Sequence, residues 1–406
     1  MKIARPFLSL LTLATLLTTG PIHAEDATDA PATLSAAERI NAFGLELLQA
    51  ALDRPDSGTI LLSPLNLAQV ALMLDSGVSE GSSYETSGTI GALFGLEGSD
   101  GLTALALQAA ELSQDLQNGD AAAPLRLAAS IWTAPTLALW PEYQEFLEGT
   151  FGASVEQADF TASETLDRIN QVISEQTGGL ISPMLEDLDA QTRLLLASAL
   201  HFKADWAMPF DPAQTVEGPF TTAAGDEVSA DFMVMESTLE HWSALDSEFA
   251  ALPFTATPDQ PAFEIVIGLP GADVNMASWD DEDWRALLNH AASDRTAMPV
   301  TLQLPRLSAR AGGDMAPLFE AAGFGQLFST PFDTLSEQAV VIDSLVHRAV
   351  LEWNEAGAEA ATATVAGMVR TIAITPHTLR IDRPFLVLLR EKESGLILLL
   401  GSIDRP

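Results

Sequence analysis

The stretch Glu355-Ala356-Gly357-Ala358-Glu359-Ala360-Ala361-Thr362-Ala363-Thr364-Val365 differs in texture from the chain around it. Composition alone makes it an Ala/Thr linker or a weak helix. Read at the period of a strand, it sorts its side chains onto two faces. Ala358, Ala360, Thr362, Thr364 and Ala366 share one face; Glu359, Ala361, Ala363 and Val365 share the other. The first face carries only small side chains, so the segment fits a tight slot between strands that already exist. Gly357 supplies backbone freedom at its start. A strand pattern over 349–353 leads into it, and a polar segment around Thr375-Pro376-His377 follows.

Working outward, the tail holds two apolar runs, 386–389 and 396–400, joined by Glu393-Ser394-Gly395 in a hairpin pattern. Back to about residue 215, short apolar runs at 218–220, 232–235, 263–269 and 300–304 alternate with turn residues, and one helix is expected over 315–321. The N-terminal part is helical in pattern. Ser35-x-x-Glu38 reads as a capping box, followed by Ile40, Phe43, Leu47 and Ala51 at helical spacing. A short strand at 59–62 precedes Ser63-Pro64, an N-cap followed by proline at the first helical position. Leu67, Val70, Ala71 and Leu74 carry that helix toward Gly77. Further helices are expected near 103–116, 141–150 and 163–176, with buried strands at 125–132 and 192–202. Helices first and strands later in one chain, with no repeat and no long linker, predict a single α+β domain.

The first 24 residues have a secretory layout: Lys2 and Arg5, an apolar stretch over 7–17, then Pro21-Ile22-His23-Ala24. That stretch is too short to span a bilayer. Residues 1–24 are therefore expected to be a signal peptide, 25–36 a flexible acidic lead-in and 37–406 the folded domain. Export places the protein outside the cell or in a periplasm.

The 406 residues carry 56 acidic and 19 basic side chains, a net charge of −37, and no cysteine. Nucleic-acid binding requires a basic footprint, and the lysines are Lys2, Lys203 and Lys392 alone. Neither a nucleic acid nor an anionic membrane is expected as a partner. Disulfides, thiol catalysis and Cys-held zinc are excluded. Neither a P-loop nor a His-Glu-x-x-His is present, and no two histidines sit at ligand spacing along the chain, so no metal and no cofactor are expected. Gly77-Val78-Ser79-Glu80-Gly81 satisfies the G-x-S-x-G nucleophile elbow, but the pattern before it is helical where the elbow requires a strand. Ser79 is read as part of a helix-ending turn, with a secreted hydrolase as the competing reading.

From about Ala42 to the C-terminus the chain resembles the serpins, the serine protease inhibitors. The landmarks run in order: Ile60-Leu61-Leu62-Ser63-Pro64-Leu65-Asn66, Asp159-Phe160, Ile169-Asn170, Thr177-Gly178-Gly179-Leu180-Ile181, Phe202-Lys203-Ala204-Asp205-Trp206, Phe210-Asp211-Pro212, Leu304-Pro305-Arg306-Leu307, His347-Arg348-Ala349-Val350 and Asp382-Arg383-Pro384-Phe385. The opening stretch is similar to the hinge that precedes the family's reactive loop. There are departures. Ser198 occupies the position of a shutter Asn and Asn66 that of a second Ser, an arrangement open to an exchange of roles. Ala356 stands where an acidic residue is common. No basic helix face is visible over 82–98, so a heparin-type cofactor is not expected.

The resemblance implies three β-sheets, eight or nine helices and an exposed loop over about 355–376, with no catalytic residue of its own. A target serine protease, trypsin-like or elastase- or subtilisin-like, would be trapped as an acyl-enzyme while the hinge (Glu355, Gly357, Ala358, Glu359, Ala360, Ala361, Thr362) inserts into the central sheet. His347 falls on the shutter histidine, with an ordinary core histidine as the alternative; Trp206 falls on the breach; Asn170 and Thr177 would hold the helix that crosses the sheet. The usual loop length puts the scissile bond at Thr371-Ile372, a loop one residue shorter puts it at Arg370-Thr371, and Met368-Val369 is a further candidate. A monomer is expected. A serpin-like binding protein without inhibitory activity is the alternative.

Overall fold

The computed structural model describes residues 34–54, 58–74, 84–97, 99–117, 124–256, 260–293, 295–333, 335–357 and 375–406. The signal segment, Ser79 with its elbow, and the loop positions Ala358, Glu359, Ala360, Ala361, Thr362, Met368, Arg370, Thr371 and Ile372 lie outside the described residues. The helices are α1 (Ala36–Leu52), α2 (Pro64–Met73), α3 (Tyr84–Phe94), α4 (Ser99–Gln117), α5 (Pro141–Phe151), α6 (Ser163–Gln176), α7 (Asp281–Ser293) and α8 (Ala316–Ala321). The strands are β1 (Ile60–Leu62), β2 (Leu125–Thr133), β3 (Ser154–Gln157), β4 (Leu194–Phe202), β5 (Val216–Thr221), β6 (Glu227–Ala244), β7 (Ser247–Pro253), β8 (Phe263–Pro270), β9 (Thr296–Pro305), β10 (Leu307–Asp314), β11 (Ser344–Trp353), β12 (His377–Arg380), β13 (Phe385–Glu391) and β14 (Ile397–Ile403).

Local chemistry accounts for the helix starts. Ser35 and Glu38 form a reciprocal capping box on α1, each satisfying a backbone N–H that the first turn leaves free. Ser63 caps α2 by accepting from the Asn66 N–H, and Pro64 stands at the first helical position. The α2 helix is buried on every side and ends at Met73, short of the expected Gly77.

A five-stranded sheet has the order β10-β11-β4-β2-β3. Within it β4 and β11 are parallel neighbours, in register from Ser344 opposite Leu195 to Val350 opposite His201. One face of this sheet packs on α6 through Trp132, Ile169, Ile173, Ala197 and Val346. A nine-stranded sheet has the order β1-β14-β13-β8-β7-β6-β9-β12, with β5 attached to β6. The three expected sheets thus occur as two continuous ones among the described residues. The 18-residue β6 is the reason: its first part pairs with β5, its last part with β7, and β9 runs alongside both. The sequence showed only the apolar run over 232–235, because the rest of β6 alternates buried and exposed positions.

Two helices were not expected. In α7, Trp284 and Leu287 are the fully buried anchors among the described side chains, too few for a periodic signal. In α3, Gly88 and Gly91 sit inside the helix and weaken its propensity. Gly91 is needed there, since a Cβ would lie 2.4 Å from the Leu96 carbonyl oxygen.

Candidate functional site: the sheet seam and the base of the loop

The parallel seam between β4 and β11 is closed at its centre by His347. This residue is fully buried and stands in register with Ser198 on β4. The Ser63 backbone N–H donates to His347 Nε2 at 3.0 Å, which leaves Nδ1 as the protonated nitrogen, 2.9 Å from Ser198 Oγ. One imidazole therefore ties β11 to β4 and to the corner where β1 enters α2. Burial pushes its pKa down to about 4, against the opposing hydrogen bond to Ser198.

Asn66 is also fully buried, and its amide reaches the neighbouring strand pair: Nδ2 donates to the Ala199 carbonyl at 2.7 Å and lies 3.4 Å from that of Ala128. Ser198 thus sets a hydroxyl beside the imidazole, while Asn66 links α2 to β4 and β2. Asn66 Oδ1 has no hydrogen-bond partner among the described residues.

Across the face of the sheet, α6 is held by the side chains of Asn170 and Thr177 as well as by its backbone C-cap. Asn170 Oδ1 accepts from the N–H groups of Met184 and Leu185, and its Nδ2 donates to the Leu185 carbonyl. Thr177 Oγ1 donates back to the Ile173 carbonyl at 2.7 Å. The Met184 carbonyl accepts from Arg348 Nε on β11 at 2.6 Å, so the segment after α6 is fastened to β11. A cleft of about 630 Å³ lies along this part of the seam, lined by Met184, Asp187, Leu195, Asp343, Val346 and Arg348.

At the other end of the seam the chain leaves β11 and turns. Asp205 and Gly357 form an antiparallel bridge just beyond β4. The Trp206 N–H donates to the Ala356 carbonyl at 2.9 Å and the Phe210 N–H to the Glu355 carbonyl at 2.8 Å. The Trp206 indole N–H donates to the Asn354 carbonyl, and its ring stacks on Phe254 at 4.6 Å. Gly357 has φ +144, and a Cβ there would lie 2.4 Å from the Ala204 carbonyl oxygen. The glycine is therefore required by close approach as well as by conformation.

Glu355 is the charged residue at this turn, 7% exposed. Arg306, at the end of the β9–β10 connection, clasps it with Nη2 to Oε1 at 2.6 Å and Nε to Oε1 at 2.9 Å. The Thr215 hydroxyl donates to the same oxygen at 2.5 Å, and Arg306 also holds Asp231 at 2.9 Å. Burial works to raise the Glu355 pKa, yet the guanidinium and hydroxyl hold it below the usual carboxylate range.

The structure thus brings Ser63, Asn66, Ser198 and His347 together at the seam, and Glu355, Gly357 and Trp206 together where the loop departs. Asn170 and Thr177 lie on the α6 side. Sequence reasoning missed Arg306 and Thr215 as partners of the hinge. Arg306 lay inside a quoted landmark, and an arginine adjoining a strand in so acidic a chain was the available signal.

This architecture is shared with solved structures. The native stressed conformation of Arabidopsis AtSerpin1 superposes with a TM-score of 0.78 at 23% identity, covering 92% of this chain and 100% of that one. Human thyroxine-binding globulin complexed with its ligand gives 0.78 at 20% identity over 91% of this chain and 98% of that one. The family described as Serpin (serine protease inhibitor) matches residues 38–406, and the chain belongs to it. Among curated relatives, Serpin-Z2B of Triticum aestivum is 29% identical over 90% of this chain and 94% of its own length. Iripin-8 of Ixodes ricinus is 28% identical over 90% of this chain and 92% of its own. The family is described by protease inhibition and not by catalysis, and as a member of it the chain is not an enzyme.

Proposed function

We propose that this chain is an exported, inhibitory serpin that traps a serine-type endopeptidase by inserting its cleaved loop between β4 and β11. The observation that carries the reading is the pairing at the loop's departure. The strand β11 runs directly into the loop, and Gly357 is already antiparallel to Asp205 beyond β4. A chain continuing from there would run antiparallel to both β11 and β4. It would replace one parallel ladder with two antiparallel ones, which are slightly more stable per residue.

The driving force follows from the hydrogen bonds. About ten inserted residues gaining roughly 0.5–1.5 kcal/mol each amount to on the order of 10 kcal/mol. The inward face must be small, because overpacking costs about 1–3 kcal/mol per site. Ala358, Ala360, Thr362, Thr364 and Ala366 meet that requirement, and a binding protein that never inserted its loop would have no need of it.

In the trapping reaction the protease serine oxygen attacks the carbonyl carbon of Arg370 or Thr371, and the amine of the following residue departs as the leaving group. The ester that forms keeps the protease attached to the hinge side of the cut as that side inserts. Arg370 suits a trypsin-like pocket, Thr371 an elastase-like one, and Met368 a subtilisin- or chymotrypsin-like one. The N-terminal layout supports export, and no helix among the described residues is long and apolar enough to cross a membrane.

Incubation with trypsin, elastase and subtilisin followed by a denaturing gel tests the proposal. A band of the summed mass, with protease activity lost one for one, is expected with at least one of them. Clean cleavage that leaves full protease activity would contradict inhibition and favour the binding-protein reading. Mass spectrometry of the complex locates the cut.

A further inference from the structure

The histidines have no ligand spacing along the chain, but the fold gathers two of them. His241 lies near the end of β6, Glu248 near the start of β7, and His377 opens β12. The β6–β7 hairpin turns through Leu245 and Asp246, at φ 53 and 52, the conformation of a two-residue type I′ turn. That turn fixes the register in which His241 pairs with Ala250 and Ser243 with Glu248. Residues 241 and 243 share a face, so His241 and Glu248 are diagonal neighbours. The third residue arrives from the far side of β9, where β12 pairs in parallel. The two imidazole rings are 5.0 Å apart. Glu248 Oε2 lies between them, 3.3 Å from His241 Nε2 and 2.5 Å from His377 Nε2.

We infer that His241, Glu248 and His377 form a zinc-class divalent cation site that clips β12 to the β6–β7 hairpin. One ligand atom from each residue lies within 4.8 Å of the others. Tetrahedral zinc at about 2.0–2.2 Å from each atom asks for ligand separations near 3.3 Å. Reaching that geometry requires Glu248 Oε2 and His377 Nε2, now 2.5 Å apart, to separate by roughly 0.8 Å while the widest separation, within 4.8 Å, closes. His377 and Glu248 are 37% and 40% exposed and have room to adjust, whereas His241, at 9%, is the buried anchor. Two imidazoles and one carboxylate select a borderline cation such as Zn²⁺ over Mg²⁺ or Ca²⁺, which take oxygen ligands. The exposed side leaves a fourth position for water.

The site's place in the topology gives it a consequence. Among the described residues, β12 is short, lies at the sheet edge and is held in register with β9 over His377–Arg380. It begins where the loop ends, so a cation bound there fixes the exit of the loop to the body of the sheet. The cation site does not depend on whether the chain inhibits a protease.

The test uses the untagged, metal-stripped chain. Calorimetric titration with ZnCl₂ alone is expected to give one Zn²⁺ per chain, with MgCl₂ giving none. E248Q and H377N alter half-exposed side chains, and each is expected to weaken Zn²⁺ binding at least tenfold with circular dichroism unchanged. Saturating Zn²⁺ should slow hydrogen exchange of the amides over 377–380 at least tenfold in the native chain and leave E248Q unaffected. Absence of saturable binding, or an affinity unchanged by both substitutions, would overturn the site. Binding that leaves exchange over 377–380 unaltered would overturn the clip.

Discussion

At the scale of single residues, His347 makes the seam sensitive to acid. It is buried and neutral, with its pKa lowered to about 4 from 6.5. The unfolded chain takes up the proton first as pH falls, so stability declines between pH 6.5 and about 4 and is fully retained above that window. The effect is on the order of 3 kcal/mol across the window. His201 is likewise pushed to about 4, mainly by burial, so the native pH profile mixes both residues. The difference between native protein and a His347→Asn variant isolates one of them. The variant is expected to be less stable by roughly 1–3 kcal/mol at pH 7.5 through lost hydrogen bonds. That gap should shrink on acidification as the native protein loses its advantage. Urea midpoints at pH 7.5 and 4.5 check this; a gap that stays constant would contradict the role given to burial.

At the scale of elements, the proposed insertion makes the small inward face of the hinge the feature that decides between inhibition and simple cleavage. Replacing Ala358 with Arg places a long charged side chain where an inserting strand must pass the closed sheet. Insertion should slow relative to deacylation, and the covalent band should fall at least tenfold in favour of cleaved chain, read by gel densitometry. An undiminished band would count against insertion. Strand period and residue size, on which this face is read, are both local properties, and its residues lie outside the described ones. The capping box at Ser35 and Glu38 and the Ser63-Pro64 entry were legible because they too are local. The clasp of Glu355 by Arg306 was not, since its partners are 49 residues apart and meet only once β9, β10 and β11 are packed. The gathering of His241, Glu248 and His377 was hidden similarly, the last two being 129 residues apart. The merging of the sheets through β6 was also missed, because half-exposed alternation over 18 residues carries little apolar signal.

At the scale of the whole molecule, the account requires a native state that is not the most stable arrangement available to the chain. The parallel seam between β4 and β11 and the antiparallel start at Gly357 are the two features an added strand would use. In the proposed mechanism, cutting the loop frees its hinge side to enter. A gain on the order of 10 kcal/mol, set against an unfolding entropy of about 2.1 cal/mol/K per residue, corresponds to a rise in melting temperature of about 10 °C or more. The most direct measurement is therefore calorimetry of the chain before and after a single nick between residues 366 and 372. A melting temperature raised by about that amount is the predicted result. A nicked chain that melts at or below the intact one would contradict the central claim.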